Sequence, residues 1–323
     1  MRDIKYREAI QEALREEMMR DEAVFLIGED IGARGGIYKA TDTLLEEFSQ
    51  NRVYDTPISE LAIIGAALGA ALGGLRPVAE IMYIDFAGLA IDQIVNQCAK
   101  IRYMTGGQAV VPLVIRTQGG AGRSIAAQHS QSLEAWYTHI PGLKVVMPAT
   151  PYDVKGLLKT SIRDSNPVIF IEHKLLYLMT GSVPEEDYVI PLGKADIKKE
   201  GRDVTLITWS KMVFDCLEAA AKLEEEGTSA EVLDLRTLNP LDLEAIVSSV
   251  KKTGKAVIVH EACKTGGFGG ELATLIMETA FDYLDAPVRR VAGVDTPIPY
   301  ALHLETEVIP NPDWIIKAVK EIS

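Results

Sequence analysis

The sequence has few cysteines and no long uninterrupted apolar segment. The three cysteines, Cys98, Cys216 and Cys263, are far apart and odd in number, which fits neither a disulfide framework nor paired metal ligands. The apolar runs are shorter than the roughly 20 residues that a membrane-spanning helix needs. The sequence therefore predicts neither a disulfide scaffold nor a membrane span.

The sequence also has fewer basic than acidic residues. The chain has 33 basic and 46 acidic residues, giving a formal net charge of -13. Such a negative potential disfavours non-specific binding to nucleic acid or to anionic membranes. The N-terminal segment has charged residues throughout and no apolar signal region, so a cytoplasmic location is expected.

The pattern of short and long periodic segments predicts the fold class. Apolar, β-branched segments such as "AVFLIG", "VVPLVIRT" and "NPVIFIEH" alternate with helical patterns such as "GLAIDQIVNQCAKIRYM" and "PYDVKGLLKTSIRD", which indicates an α/β fold with mainly parallel sheets. The pattern breaks and restarts at "DVTLITWS". We therefore predict two parallel-sheet domains, residues 1–185 and 203–323, joined by a linker at 186–202.

Glu60 stands at the head of a long run of small and apolar residues. Thr56 or Ser59 could cap the helix that follows, and a glutamate there could simply favour the helix dipole by about 0.3–1 kcal/mol. Glycines recur every four residues along the run, at Gly65, Gly69 and Gly73. This spacing predicts a buried helix with a closely packed face, so that a partly desolvated Glu60 would share its proton with a specific partner.

His129 is the second candidate for chemistry. It lies in the polar stretch "AAQHSQ" after a glycine-rich segment, a setting that favours function over the commoner structural role of a histidine. His139 is interpreted as structural. His173, His260 and His303 have no pairwise ligand spacing, so no zinc site is expected.

Two further segments lie where strands lead into helices. Tyr83, Asp85 and Phe86 follow the strand pattern "AEIM", and ligands often bind at the carboxyl end of such strands, although aromatic residues there could also be ordinary core. The segment "HEACKTGGFGGEL" does not match G-x-G-x-x-G. It is interpreted as a tight turn whose backbone faces another surface.

Together, "DTPISE", "GLRPVAEIMYIDF", "AIDQIVNQCAKIRYM", "AAQHSQ" and "NPVIFIEHKLLY" resemble the beta subunit of the thiamine-diphosphate-dependent first component of 2-oxo acid dehydrogenase complexes. The resemblance runs nearly end to end. It implies a pyrimidine-binding domain followed by a transketolase-type C-terminal domain, with Glu60 as the acid that meets the cofactor's aminopyrimidine ring. By the same resemblance, Phe86 packs on that ring and Glu29 lies near the cofactor pocket. His129 would lie near the substrate and the incoming lipoyl group.

The resemblance also implies partners. Thiamine-diphosphate enzymes hold Mg²⁺ and diphosphate with a "GDG" motif, which this sequence lacks. An alpha subunit would therefore supply those ligands, with active sites at the interfaces of an α2β2 heterotetramer and the glycine-rich helix as a subunit contact. The acidic chain would dock on a lipoyl acyltransferase core. Asp164 and Asn166, in "RDSNP", would be candidate ligands of a structural K⁺.

The substrate and the class leave alternatives open. "DFAGLAIDQI", "PLVIRT" and "EHKLLY" look closest to acetoin dehydrogenase beta subunits, whereas "HEACKTGGFGGEL" is similar to the oxo-acid relatives. Acetoin is placed ahead of pyruvate, and a branched-chain 2-oxo acid is the alternative. A fused enzyme such as transketolase would need the absent "GDG". A non-catalytic assembly scaffold would tolerate replacement of Glu60 and His129.

Overall fold

The computed structural model describes residues 1–322, and the chain divides into two compact units. The first unit comprises Met1–Gly119 and Trp136–Leu192. The second comprises Gly120–Ala135 and the chain from Gly193 onward. The contiguous boundaries 1–185 and 203–323, with the linker at 186–202, stay a prediction.

The first unit contains eight strands among its described residues. They are β1 (Arg2–Lys5), β2 (Val24–Gly28), β3 (Val53–Asp55), β4 (Arg76–Ile81), β5 (Val114–Gly119), β6 (Lys144–Val146), β7 (Val168–His173) and β8 (Thr180–Val183). The helices up to this point in the chain are α1 (Tyr6–Arg20), α2 (Leu44–Phe48), α3 (Glu60–Leu72), α4 (Ile101–Met104), α5 (Glu134–Thr138) and α6 (Pro151–Arg163).

Six of these strands form a parallel sheet in the order β6-β7-β5-β4-β2-β3. Strands β1 and β8 form a separate antiparallel ribbon. Strands β5 and β7 are buried along their whole length, as expected for parallel strands covered on both faces. Parallel pairing brings the carboxyl ends of β2 and β4 side by side, with Gly28 opposite Glu80.

The second unit has its own sheet. The strands of this unit are β9 (Asp196–Lys199), β10 (Val204–Thr208), β11 (Ala230–Asp234), β12 (Thr237–Asn239), β13 (Ala256–Cys263) and β14 (Arg289–Gly293). Its helices are α7 (Met212–Glu225), α8 (Leu243–Thr253), α9 (Gly269–Ala280), α10 (Leu302–Thr306) and α11 (Pro312–Lys320). Five strands pair in the order β14-β13-β10-β11-β9, parallel except for the edge strand β9. Two mainly parallel α/β sheets confirm the predicted fold class.

The segment predicted as one helix over "GLAIDQIVNQCAKIRYM" is interrupted. Phe86–Ala90 forms a 3₁₀ helix, Gln93–Cys98 a π-helix and Ile101–Met104 the short helix α4. The amide of Ala99 donates to the carbonyl of Ile94, five residues back, which is the wider turn of a π-helix. Within residues 1–322, no helix combines the length and apolar character that crossing a bilayer requires.

Helix α3 begins where the sequence predicts, with Ser59 as its N-cap and Glu60 as its first residue. One face is buried, and its residues are Glu60, Ile63, Ile64, Ala67, Leu68 and Ala71. The opposite face, which carries Ala62, Ala66 and Gly69, is exposed. Within this chain the predicted burial therefore holds for one face of α3 only, and the small residues of the other face lie outside the chain's own core.

Candidate active site

Glu60 lies at the amino end of α3 and is 7% exposed. The Ser59 side chain makes no capping hydrogen bond, so its hydroxyl does not accept from the backbone amides in the first turn of α3. A carboxylate in this position is favoured by the partial positive charge of the helix end. The fold thus places a nearly buried acidic group at the beginning of a helix that packs beside β4.

Glu29 follows the last residue of β2, and its carboxyl group interacts electrostatically with that of Glu60. Burial raises the pKa of Glu29, and the negative charges of Glu60, Asp30 and Glu80 raise it further. The sequence-derived candidates Glu29 and Glu60 are therefore neighbours in the structure. A third carboxylate, Glu80 near the end of β4, belongs to the same group and was missed by the sequence analysis.

Arg116 holds Glu80 in place. Its Nη1 donates to Oε2 of Glu80 at 2.8 Å, while Nε and Nη2 donate to the two carboxylate oxygens of Glu172 at 2.7 and 2.8 Å. The Arg116 side chain is only 1% exposed. Paired, bidentate contacts of this kind compensate the cost of burying charge and fix the side-chain orientations.

Two neutral donors complete this buried network. Gln118 Nε2 donates to the free oxygen of Glu80 at 3.1 Å, and the Tyr177 hydroxyl makes a short hydrogen bond to Glu172. Burial raises the pKa of Glu80, although the positive charge of Arg116 opposes the shift. The signal in the sequence was a polar residue inside each of three apolar strand patterns.

Phe86 begins the 3₁₀ helix that follows β4 and is partly buried. Its ring makes an edge contact with Tyr83 at 6.3 Å between centroids. Tyr83 has a left-handed backbone with φ 76°, an unusual conformation for a bulky residue, and its amide donates to Oε1 of Gln118 at 3.2 Å. Two aromatic rings thus lie just beyond the carboxyl end of β4, and Gln118 ties the Tyr83 backbone to the network around Arg116.

His129 ends a short 3₁₀ turn, Ala127–His129, in the second unit. The residues around it help to line a cavity of about 650 Å³ together with residues of β13 and of the segment after β14. Glu29, Glu60 and Phe86 lie in the first unit, whereas His129 lies in the second.

Asp164 and Asn166 form a local hydrogen-bonded pair. The backbone amide and Nδ2 of Asn166 each donate to Oδ1 of Asp164 at 2.8 Å, and Lys144 makes a short contact to the other oxygen. Burial alone would raise the pKa of Asp164, but the bonds from Lys144 and Asn166 lower it. The ammonium of Lys144 already neutralises this carboxylate. Among residues 1–322, no cluster of three or more His, Cys, Asp or Glu side chains is arranged to hold a metal ion.

Comparison with known families extends these observations. Residues 2–179 match the family described as "Transketolase, pyrimidine binding domain", and residues 193–315 match "Transketolase, C-terminal domain". A solved structure of a split-gene transketolase, an inactive beta4 tetramer, superposes with a TM-score of 0.81 at 25% identity, covering 99% of this chain and 98% of that one.

Three curated relatives are similar over the whole chain. The beta subunit of the pyruvate dehydrogenase E1 component of Rhizobium meliloti is 49% identical, across 100% of this chain and 70% of the relative. The 2-oxoisovalerate dehydrogenase beta subunit of Bacillus subtilis is 48% identical, across 99% and 98%. The beta subunit of acetoin:2,6-dichlorophenolindophenol oxidoreductase of the same organism is 49% identical, across 99% and 97%.

The fold and the matched domains define a protein of the transketolase type, with a pyrimidine-binding domain followed by a transketolase C-terminal domain. The chain belongs to the family of dehydrogenase E1 beta subunits that includes the pyruvate, 2-oxoisovalerate and acetoin enzymes. It is therefore a subunit of an oxidoreductase.

Proposed function

We propose that this chain is the beta half of a thiamine-diphosphate-dependent dehydrogenase that acts on acetoin or pyruvate. It would work with an alpha subunit in an α2β2 heterotetramer and pass the acyl unit to lipoyl groups of an acyltransferase core. The observation that carries the proposal is the nearly buried Glu60 carboxylate at the beginning of α3, inside a region that matches a pyrimidine-binding domain.

The residues around Glu60 fit an aminopyrimidine ring. Burial and the neighbouring carboxylates raise the pKa of Glu29, so this acidic side chain holds its proton more readily than a free glutamate does, and Phe86 provides a partly buried aromatic ring beyond β4. A heteroaromatic ring with a basic nitrogen is suited to both features, because it can accept a proton at its edge and pack at its face.

When bound, thiamine diphosphate supplies a nucleophilic carbon that adds to a carbonyl substrate. In this proposal Glu60 holds a proton at a ring nitrogen, and Phe86 orients the ring. Arg116 and Gln118 hold the Glu80 carboxylate in one orientation, near Glu29. His129 would donate a proton, or stabilise developing negative charge, when the acyl unit moves to the lipoyl group.

The diphosphate and Mg²⁺ would be held by the alpha subunit, because this sequence has no "GDG" motif. In the same proposal, Asp164 and Asn166 are ligands of a structural K⁺ ion. It would have to displace the Lys144 ammonium from the Asp164 carboxylate or bind through the carbonyl oxygens nearby.

The substrate is proposed in the order acetoin, then pyruvate, with a branched-chain 2-oxo acid as the alternative. Relatives that are named for each of the three have between 48% and 49% identity, so overall identity does not separate them. Parallel assays with the three substrate types would decide the order.

The role of Glu60 is tested by Glu60→Gln in the assembled heterotetramer. Since the amide cannot carry the shared proton, turnover should fall by about 100-fold or more, while assembly measured by sedimentation stays intact. Glu46→Gln is the matched control, because Glu46 is an exposed glutamate that also lies in the first turn of a helix. Normal turnover by the Glu60→Gln enzyme would refute the assignment and favour a scaffold role.

A further inference from the structure

The loop that carries His129 has an unusual backbone. We define the His129 loop as residues 120–132. Left-handed φ angles occur at two glycines, Gly120 (90°) and Gly122 (94°), and also at Ser124 (53°) and Ala126 (64°). Non-glycine residues adopt this conformation only when surrounding contacts impose it. The loop therefore needs fixed hydrogen-bond partners to keep its shape.

Glu305, on α10, supplies the first of these partners. One carboxylate oxygen accepts from the amide of Gly122 at 2.7 Å, and the other accepts from the amide of Ser124 at 3.0 Å. The Glu305 side chain is 0% exposed. Both hydrogen bonds are charge-assisted and shielded from water, so they restrain the loop backbone strongly.

Glu261, on β13, holds the two ends of the loop together. Its Oε1 accepts from the amide of Ala121 at 2.7 Å and from the hydroxyl of Ser132 at 3.1 Å. A backbone bond from Gly120 to Gln131, 3.0 Å long, closes the same neck. All of these groups belong to the second unit. The two carboxylates thus fix the beginning, the middle and the end of the His129 loop.

The fixed loop has a defined place beside the cavity. Residues on both sides of His129, including Gln128 and Ser130, line the cavity of about 650 Å³, and Glu261 lies in the same lining. A displacement of the loop would therefore move His129 and reshape that wall together. Errors of about 1 Å in the placement of a reacting group can reduce rates by about 100-fold.

We propose that Glu305 and Glu261 are positioning residues for His129 in transfer of the acyl unit to the lipoyl group. The inference rests on the proposed function of His129. In this proposal neither carboxylate exchanges a proton or a bond in the transfer, and both act through the hydrogen bonds that they accept from the loop. Their contribution is to hold the backbone that carries the histidine.

The experiment uses the assembled heterotetramer and the substrate on which the wild-type enzyme is active. Glu305→Gln keeps the size of the side chain but turns an NH₂ group toward one of the two loop amides. Two rates are measured: acylation of a free lipoyl domain, and substrate oxidation with an artificial electron acceptor that bypasses the lipoyl group. We expect kcat for lipoyl acylation to fall about tenfold and the artificial-acceptor rate to change less than about twofold.

Two controls separate positioning from general damage. Glu307→Gln changes an exposed glutamate two residues away and should leave both rates unchanged. Hydrogen exchange should become faster in the peptide that contains residues 121–124 of the Glu305→Gln enzyme, because either the Gly122 or the Ser124 amide loses its buried acceptor. Glu261→Gln provides a second variant, with the same selective loss expected.

A double-variant cycle tests whether Glu305 acts through His129. The enzyme with both His129→Ala and Glu305→Gln should acylate the lipoyl domain no more slowly than His129→Ala alone. Additive losses, or equal losses in both assays, would overturn the positioning role. A wild-type acylation rate in Glu305→Gln would also overturn it but leave the proposed function standing. A wild-type acylation rate in His129→Ala would refute the proposed role of His129 and, with it, the positioning role.

Discussion

Two buried ionisable residues of the second unit, Glu134 and His260, both contact the side chain of Trp209. Glu134 accepts a hydrogen bond from Trp209 Nε1 at 3.3 Å, and the Trp209 ring stacks on His260 with centroids 5.5 Å apart. Burial raises the pKa of Glu134 to about 7, and the charge of Glu261 adds to the shift. Burial also lowers the pKa of His260 to about 4, and Arg290 contributes.

These shifts affect stability in opposite directions. The pKa of Glu134 is higher in the folded chain than its usual value of 4.5, so the unfolded chain loses this proton first and stability falls as pH rises from 4.5 to 7. The pKa of His260 is lower than its usual 6.5. The unfolded chain therefore gains that proton first, and stability falls as pH drops from 6.5 to 4.

Glu134→Gln should separate the two effects. Because glutamine cannot ionise, this variant should exceed the wild-type free energy of unfolding by about 3 kcal/mol at pH 8, and the difference should almost vanish near pH 4. Denaturant unfolding at the two pH values measures this. Glu278→Gln, at an exposed site on α9, is the control. An equal difference at both pH values would show that ionisation of Glu134 is not the cause.

Single residues were predictable from the sequence where a local pattern marked them. Glu60 stands between a candidate N-cap and a small-residue run, and the structure places it at the first position of α3. Glu80 and Glu172 are marked only as polar residues inside apolar strand patterns, and the sequence does not show that they share Arg116, which is 36 and 56 residues away. Ion pairs across neighbouring strands depend on register, which the local pattern does not specify.

At the scale of elements, α3 presents a face of small residues outside the chain's own core. A Cβ atom added at Gly69 would meet no atom within 4 Å. Glycine in a helix interior is destabilising relative to alanine by about 0.5–1 kcal/mol. A helix of this composition is therefore suited to close approach by another subunit, as the family resemblance implies.

Substitutions at Gly69 should distinguish folding from assembly. Gly69→Ala should raise the thermal stability of the isolated chain slightly, because it removes backbone freedom from the unfolded state. Gly69→Leu should leave the isolated chain folded but weaken assembly of the heterotetramer by about tenfold or more, since a larger side chain prevents close packing between subunits.

The matched control is Ala221→Leu, which enlarges an exposed residue on α7. Sedimentation of each variant with the alpha subunit measures association, and circular dichroism of the isolated chain measures folding. Normal assembly by Gly69→Leu would exclude this face of α3 as a close contact.

Elements were predictable from periodicity, but the roles of their faces were not. The strands of both sheets and helix α6 follow the apolar patterns of the sequence. The start of α6 is also marked locally, because Thr150 and Asp153 form a capping box there. The apolar run of α3 predicts burial without saying whether the chain's own core or another chain covers each face. The π-helix at Gln93–Cys98 also lies outside what a 3.6-residue period indicates.

At the scale of the whole molecule, the sequence predicts two α/β domains because the strand–helix pattern stops and restarts. It does not predict that Gly120–Ala135 groups with the second unit. The reason is physical: this segment is held by Glu261 and Glu305, which lie well over a hundred residues later in the sequence. The loop with His129 is thus fixed by long-range hydrogen bonds that no local pattern reveals.

We propose that this chain contributes one half of a shared thiamine-diphosphate site. The most direct measurement is calorimetric binding of thiamine diphosphate with Mg²⁺, together with turnover of acetoin, pyruvate and a branched-chain 2-oxo acid. Both are measured for this chain alone and for its mixture with the matching alpha subunit. We expect tight binding and turnover only in the mixture. Tight binding and turnover by the chain alone would contradict a shared site.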